Sequence, residues 1–124
     1  RTVSQPEPTF YAADGPTYAH AFATGVNVTN STWYYVVGTY DAATGTSSIY
    51  VNGVLAGTST MTGPIDYLLK PVQIGCSPSG WWMGAIDEVT ISTGARSAGQ
   101  IAAEYANQVD PAAFVTIAPT EPAN

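Results

Sequence analysis

WYYVVGTY (residues 33–40) and SIYVNGVLA (residues 48–56) are the two stretches that decide the fold of this chain. Bulky and β-branched side chains occupy both faces of residues 33–40, which is typical of a central strand covered on both sides. In the second stretch, Asn52-Gly53 separates two apolar runs, and this dipeptide accepts the two positive φ angles of a type I′ turn. The sequence therefore predicts a β-hairpin next to a central strand.

Shorter β-rich runs separated by turn clusters surround this hairpin, which is the pattern of an antiparallel β-sandwich. We predict a weak strand at residues 18–24, a polar bend at 27–32 and a further strand at 83–91. One short helix is predicted near the C-terminus, where Ser97 and Gln100 have the spacing of a capping box.

The two ends of the chain differ from the part between them. Residues 1–16 and 118–124 are rich in turn-forming residues and show no sustained period, so we interpret them as an N-terminal arm or linker and a C-terminal linker. Residues 17–117 then form the β-sandwich, because 124 residues offer too little apolar surface for a second core.

The composition excludes several classes of partner. The net charge is −6 with only three basic residues, so no cationic surface is available for nucleic acid. The chain contains no apolar run of membrane-spanning length, which argues against membrane insertion. Cys76 is the single cysteine, which rules out an internal disulfide. A charge-poor composition rich in Thr and Ser favours an extracellular or cell-surface location.

Five motifs resemble, in order and spacing, the C-terminal portion of the laminin-G-like, concanavalin-A-like domains of bacterial surface and envelope proteins. They lie at residues 33–41, 49–53, 74–75, 84–91 and 95–105. The resemblance implies an all-β fold, an antiparallel jelly-roll sandwich with one short helix near the C-terminus. Such domains usually begin with several strands that have no counterpart before residue 17. The resemblance therefore implies that this is a fragment or compact variant, or that another chain or copy supplies the absent strands.

Residues suited to catalysis are scarce, and we predict that the chain is not an enzyme. His20 is the only histidine, and no serine has an evident base beside it in the sequence. Glycosidases need two carboxylates on the same face. Asp87 and Glu88 are adjacent, so in a strand they point to opposite faces.

Asp87 is the candidate metal ligand. Period two places it with Ala85 on the apolar face of the predicted strand, where a carboxylate must find a partner. That partner is either Arg96 with the backbone N–H groups of a turn, or a structural Ca²⁺, which binds carboxylate and carbonyl oxygens. Three further aspartates in predicted turns are candidate oxygen donors: Asp14, Asp41 and Asp66.

Aromatic side chains supply the candidate ligand contacts. Trp81 and Trp82 are neighbours in an extended loop and should face apart, with Trp82 in the core and Trp81 exposed. Trp81 is then either a contact for a glycan or a protein partner, or a lid over the core edge. Tyr50 is the second candidate contact, although most tyrosines of the chain are expected to be packing residues.

Two surface triplets satisfy the N-glycosylation sequon, with acceptors at Asn27 and Asn30 in the predicted polar bend. Such triplets also arise by chance in sequences rich in Thr and Ser.

The sequence predicts a non-catalytic extracellular module for recognition or adhesion that binds carbohydrate or protein. The alternative is a structural subunit of an extracellular or surface assembly, in which strands are shared between chains. Both interpretations predict contact with a ligand or with another copy of the chain.

Overall fold

The structure is a computed structural model, and it describes residues 7–14, 17–65, 71–77 and 80–113. A hairpin formed by β1 (Thr9–Asp14) and β2 (Thr17–Phe22) packs against a three-stranded antiparallel sheet. That sheet has the order β3 (Val36–Asp41), β4 (Thr46–Val51) and β5 (Val54–Thr60).

Two further short strands and one helix follow the sheet. The strands β6 (Cys76–Ser77) and β7 (Gly80–Trp81) pair with each other. The helix α1 (Ala98–Val109) is followed by a 3-10 turn at Pro111–Ala113. The described residues thus confirm the prediction of antiparallel β-layers with one helix near the C-terminus, as part of a sandwich.

The Asn52-Gly53 turn forms as the sequence predicts. Both residues have positive φ, 51° for Asn52 and 77° for Gly53, which is the backbone of a type I′ turn. The side chain of Asn52 also accepts a hydrogen bond from the backbone N–H of Tyr35 at 3.0 Å, and its own N–H donates to the Tyr35 carbonyl at 2.8 Å. The turn is therefore fixed to the segment that leads into β3.

The core lies between the hairpin and one face of the three-stranded sheet. Ile49 is fully buried in a cluster with Ala21 and Ala23, and Ala12 and Ala19 of the hairpin form a neighbouring buried cluster with Met61. The partly buried ring of Phe10 packs against both clusters. Because small side chains separate the two layers, their backbones approach closely. A Cβ at Gly57 of β5 would collide with the carbonyl oxygen of Phe22 in β2.

The opposite face of the hairpin carries aromatic rings that are partly exposed. His20 lies between Tyr11 and Phe22, with ring centroids 3.6 Å from each. Its Nε2 is buried and has no hydrogen-bond partner among the described residues. Burial lowers the pKa of His20 below its ordinary value of 6.5, because the charged imidazolium would lose hydration in this stack.

Three predictions about the elements are wrong. Residues 9–14 form a paired strand, so the N-terminal arm or linker does not extend through residue 16. The central strand predicted at residues 33–40 begins only at Val36 and lies at the edge of its sheet. Residues 83–91 form no strand and their side chains are exposed, and none of the described strands pairs with them. The predicted linker at residues 118–124 lies outside the described residues.

Gly57→Ala should destabilise the fold, because the added Cβ meets backbone atoms of β2 that cannot rotate away. We expect a loss of about 1–3 kcal/mol in the free energy of unfolding, measured by urea denaturation. Gly94→Ala is the matched control, since a Cβ at that glycine meets open space. Equal stabilities of the two variants would contradict the close approach of the layers.

Acidification should weaken the fold through His20. The folded-state pKa lies below 6.5, so the stabilising effect of the neutral ring is present above that pH and is lost as the pH falls through the folded pKa. The replacement His20→Phe keeps an aromatic ring in the stack and removes the titration. Between about pH 7.5 and about pH 5, the melting temperature of the wild type should fall more than that of His20→Phe. If the melting temperatures of the two proteins fall equally with pH, titration of His20 does not cause the loss of stability.

Candidate functional site

An open cleft lies where the outer face of the three-stranded sheet meets the beginning of α1. Its volume is about 390 Å³. The side chains of β4 alternate, so that Ile49 faces the core while Thr46, Ser48 and Tyr50 line the cleft. The rest of the lining comes from β3, the β3–β4 turn and the start of α1: Thr39, Asp41, Thr44, Ala95, Arg96, Ser97, Ala98 and Gln100.

Hydroxyl groups dominate the chemistry of this cleft. Thr44 donates to the hydroxyl of Thr46 at 3.0 Å, so these two side chains are already oriented along the rim. Asp41 accepts a hydrogen bond from the N–H of Ala43 at 2.9 Å, which holds its carboxylate at the turn. Hydroxyls both donate and accept hydrogen bonds, so the surface matches a neutral ligand that is itself rich in hydroxyl groups.

The start of α1 is fixed over the sheet by its cap. The N–H of Gln100 donates to the Ser97 hydroxyl at 3.3 Å, and the N–H of Ser97 donates to Oε1 of Gln100 at 2.9 Å. This confirms the predicted capping box. Ser97 and Gln100, which both line the cleft, therefore hydrogen-bond to each other. The helix begins at a defined position beside β4.

A polar network then fixes the middle of α1. The hydroxyl of Tyr35 donates to Oε2 of Glu104 at 2.8 Å, and Glu104 also forms an ion pair with Arg96. Burial and the bond to Glu104 raise the pKa of Tyr35 to about 12. The bond from Tyr35, together with Arg96, lowers the pKa of Glu104. The ring of Tyr35 stacks on Tyr105 with centroids 6.0 Å apart.

A second open cleft lies on the other side of the β3–β4 turn and has a volume of about 400 Å³. Thr44 lines both clefts. The other lining residues are Thr17, Tyr18, Thr60, Met61 and Thr62. Tyr18 is 62% exposed, so this cleft offers an accessible aromatic ring beside threonine hydroxyls.

The two predicted contact residues lie in different environments. Tyr50 is only 8% exposed and forms part of the cleft wall, so little of its ring is accessible to a ligand. Trp81 is 82% exposed in β7 and does not line either described cleft. Trp82, predicted to be in the core, is 43% exposed, and its indole N–H donates to the Ala85 carbonyl at 3.3 Å. That prediction is wrong because the segment after β7 does not pack against the sheet.

Asp87 does not face a core, contrary to the sequence prediction. It lies in the exposed segment without strand structure, and its carboxylate accepts a hydrogen bond from the N–H of Glu88 at 2.8 Å. Arg96, its predicted partner, pairs with Glu104 instead. Within the described residues, no three His, Cys, Asp or Glu side chains form a group that could hold a metal ion. Asp66 and the side chain of Asp14 lie outside the described part.

The two sequon asparagines lie in the predicted surface bend. Asn27 and Asn30 are both exposed. The carbonyl of Asn27 accepts a bond from the Tyr34 hydroxyl at 3.4 Å, and the N–H of Thr29 donates to the same hydroxyl at 3.1 Å. The bend is thus held by backbone and hydroxyl contacts that leave both amide side chains accessible.

Sequence reasoning named Tyr50, which lies in the cleft wall, but not the hydroxyl groups that line the cleft with it. The available signal was the alternation in β4, where Thr46, Ser48 and Tyr50 share one face. The contribution of α1 to the cleft had no sequence signal, because it depends on contacts between Tyr35 and Glu104, 69 residues apart. None of the described helices is long and apolar enough to cross a membrane.

Comparison with known proteins gives the family and the fold. The chain resembles a solved S-layer domain-containing protein from Clostridium thermocellum ATCC 27405, with a TM-score of 0.55 and 22% identity. The match covers 85% of this chain and 65% of the solved one, so the chain spans less than two thirds of that structure. No curated protein sequence matches significantly. The sequence pattern of the laminin G type matches residues 2–102, and the chain therefore belongs to the concanavalin A-like lectin/glucanases superfamily.

Proposed function

We propose that this chain is a non-catalytic recognition module of an extracellular or cell-surface protein, and that it binds a neutral carbohydrate in the cleft between β4 and α1. The observation that carries the proposal is the lining of that cleft, in which Thr39, Thr44, Thr46 and Ser48 present hydroxyl groups beside Tyr50. The family relationship and the resemblance to an S-layer domain-containing protein support a surface location.

The charges of the cleft favour a neutral ligand over an anionic one. Asp41 is its carboxylate, and the guanidinium of Arg96 is engaged by Glu104. The whole chain carries a net charge of −6, which repels sulfated or uronic sugars. A neutral oligosaccharide avoids this repulsion and can exchange hydrogen bonds with the hydroxyl groups along β3 and β4.

The same lining supports binding rather than turnover. Hydrolysis of a glycoside needs two carboxyl groups on either side of the scissile bond. Among the described residues that line this cleft, Asp41 is the only carboxylate. The cleft is also open to solvent, so it does not exclude water from a bound ligand.

The cleft can be tested with Thr46→Val and Ser48→Ala, which remove hydroxyl groups and preserve most of the packing. On an array of neutral and anionic oligosaccharides, the wild type should retain neutral members and exclude anionic ones. Each variant should bind the best neutral member about 5–10-fold more weakly by titration calorimetry, because a lost hydrogen bond contributes about 1 kcal/mol.

Thr58→Val is the matched control for these variants. Thr58 pairs with Ser48 across the sheet and shares its face, but it does not line the cleft. Its replacement should leave the affinity unchanged. If the wild type binds no oligosaccharide on the array, or if all three variants behave alike, the proposal is wrong.

Trp81 is proposed as a separate contact, since its exposed indole can stack on a sugar ring or on a partner's side chain. Trp81→Ala should weaken retention on the array by about tenfold while the circular-dichroism spectrum stays unchanged. If Trp81→Ala is retained on the array as well as the wild type, Trp81 is not a ligand contact and the proposed site is the cleft alone.

A further inference from the structure

The segment that follows the sheet exposes an unusual amount of apolar surface. Trp81 is 82% exposed and Met83 is 96% exposed. Five further apolar side chains in this part of the chain are between 49% and 73% exposed: Val72, Ile74, Ile86, Val89 and Ile91. Large apolar side chains left open to this extent in one part of the chain are typical of a contact site for another polypeptide.

The backbone of residues 83–91 also has few partners among the described residues. Within the described part of the chain, no hydrogen bond joins the main chain of this segment to another main-chain group. The bonds shown for its main chain go to nearby side chains, where Glu88 N–H donates to the Asp87 carboxylate and the Ala85 carbonyl accepts from Trp82. The segment is exposed, so its remaining N–H and C=O groups are accessible to a further strand.

The sequence of the segment suits a strand better than the conformation it adopts. Ile86, Glu88 and Thr90 alternate with Asp87, Val89 and Ile91, and β-branched residues are frequent. Glu88 nevertheless has a φ of 51°, in the left-handed region that a residue with a Cβ rarely adopts. Pairing with another strand would return Glu88 to an extended backbone and remove this strain.

The sheet itself has a complementary open edge. β3 pairs only with β4 among the described strands, so its other edge has no strand partner in the described part of the chain. Val36 at the start of β3 is 47% exposed. The described residues therefore include both a strand-like segment and a strand edge that are not paired with each other.

We propose that two copies of this chain associate reciprocally, with residues 83–91 of each copy adding as a strand to the β3 edge of the other. A two-fold arrangement satisfies both sets of backbone groups in both copies. It also covers the exposed apolar side chains of residues 81–91. The β3 edge adjoins the carbohydrate cleft, because Thr39 and Asp41 of β3 also line that cleft. The association uses main-chain groups of β3 and needs no bound sugar.

The charge of the chain sets the conditions of association. Each copy carries −6, so two copies repel each other at low ionic strength. The contact surface itself carries three acidic residues, Asp41 at the end of β3 and Asp87 and Glu88 in the added strand. Raising the salt concentration from about 0.02 M to about 0.3 M should therefore strengthen the dimer, because salt screens the repulsion and leaves apolar burial intact.

Light scattering with size-exclusion chromatography tests the proposal. The wild type should show twice the monomer mass of 12.9 kDa at high concentration and dissociate on dilution. Val89→Glu should weaken the dimer at least about tenfold, because it places another negative charge in the contact. Val54→Glu is the matched control, since Val54 is 68% exposed on β5, at the opposite end of the sheet from β3, and its replacement should have no effect.

Hydrogen exchange identifies the surfaces that pair. On going from dilute to concentrated protein, amides in residues 36–41 and in residues 83–91 should become protected together. A monomer at every concentration and salt would overturn the proposal and leave another polypeptide as the partner of this surface. A dimer in which residues 83–91 are protected without β3 would overturn the reciprocal pairing.

Discussion

The rest of the structure depends on the close packing of the β1–β2 hairpin against one face of the three-stranded sheet. Alanines on the hairpin and Gly57 on β5 let the two backbones approach, and Ile49 fills the space between them. Because side chains of a strand alternate, the choice of Ile49 for the core sends Ser48 and Tyr50 to the opposite face. The polar cleft is thus a direct consequence of how the core is packed.

The helix converts that polar face into a cleft. Its N-terminal cap places Ser97 and Gln100 beside β4, and the contact of Tyr35 with Glu104 holds the next turns. The main chain of Tyr35 is in turn bonded to Asn52 at the hairpin turn. The turn and the helix are therefore connected through residue 35, whose main chain contacts the turn and whose side chain contacts the helix.

The elements that sequence reasoning predicted correctly are those determined by neighbouring residues. The Asn52-Gly53 turn and the capping box each need only a few adjacent side chains. Strands depend on partners far away in the chain. Here one predicted strand is absent from the described structure, and one observed strand was not predicted. Residues 83–91 have a strand pattern and no partner, while residues 9–14 were interpreted as an arm and are paired.

The hairpin was difficult to recognise because its pattern of burial is the reverse of its pattern of hydrophobicity. The large rings of Tyr11, Tyr18 and Phe22 face outward, and the small Ala19 and Ala21 face the core. A pattern search gives the large apolar residues the inward positions, so it assigns this strand the wrong face. The same reasoning placed Asp87 on a buried face of a strand that the described structure does not contain.

A shallow, open cleft has consequences for how such a module can act. The one cationic side chain of the cleft, Arg96, is paired with Glu104, so the affinity of a neutral ligand there would depend on a few hydrogen bonds that compete with water. Two copies joined through β3 and residues 83–91, as proposed, would present two clefts in a fixed relation, so that a repetitive glycan surface would engage both and the second contact would become intramolecular. The proposed cleft and the proposed strand pairing would therefore be complementary, since self-association would add avidity to a site that acts through few contacts.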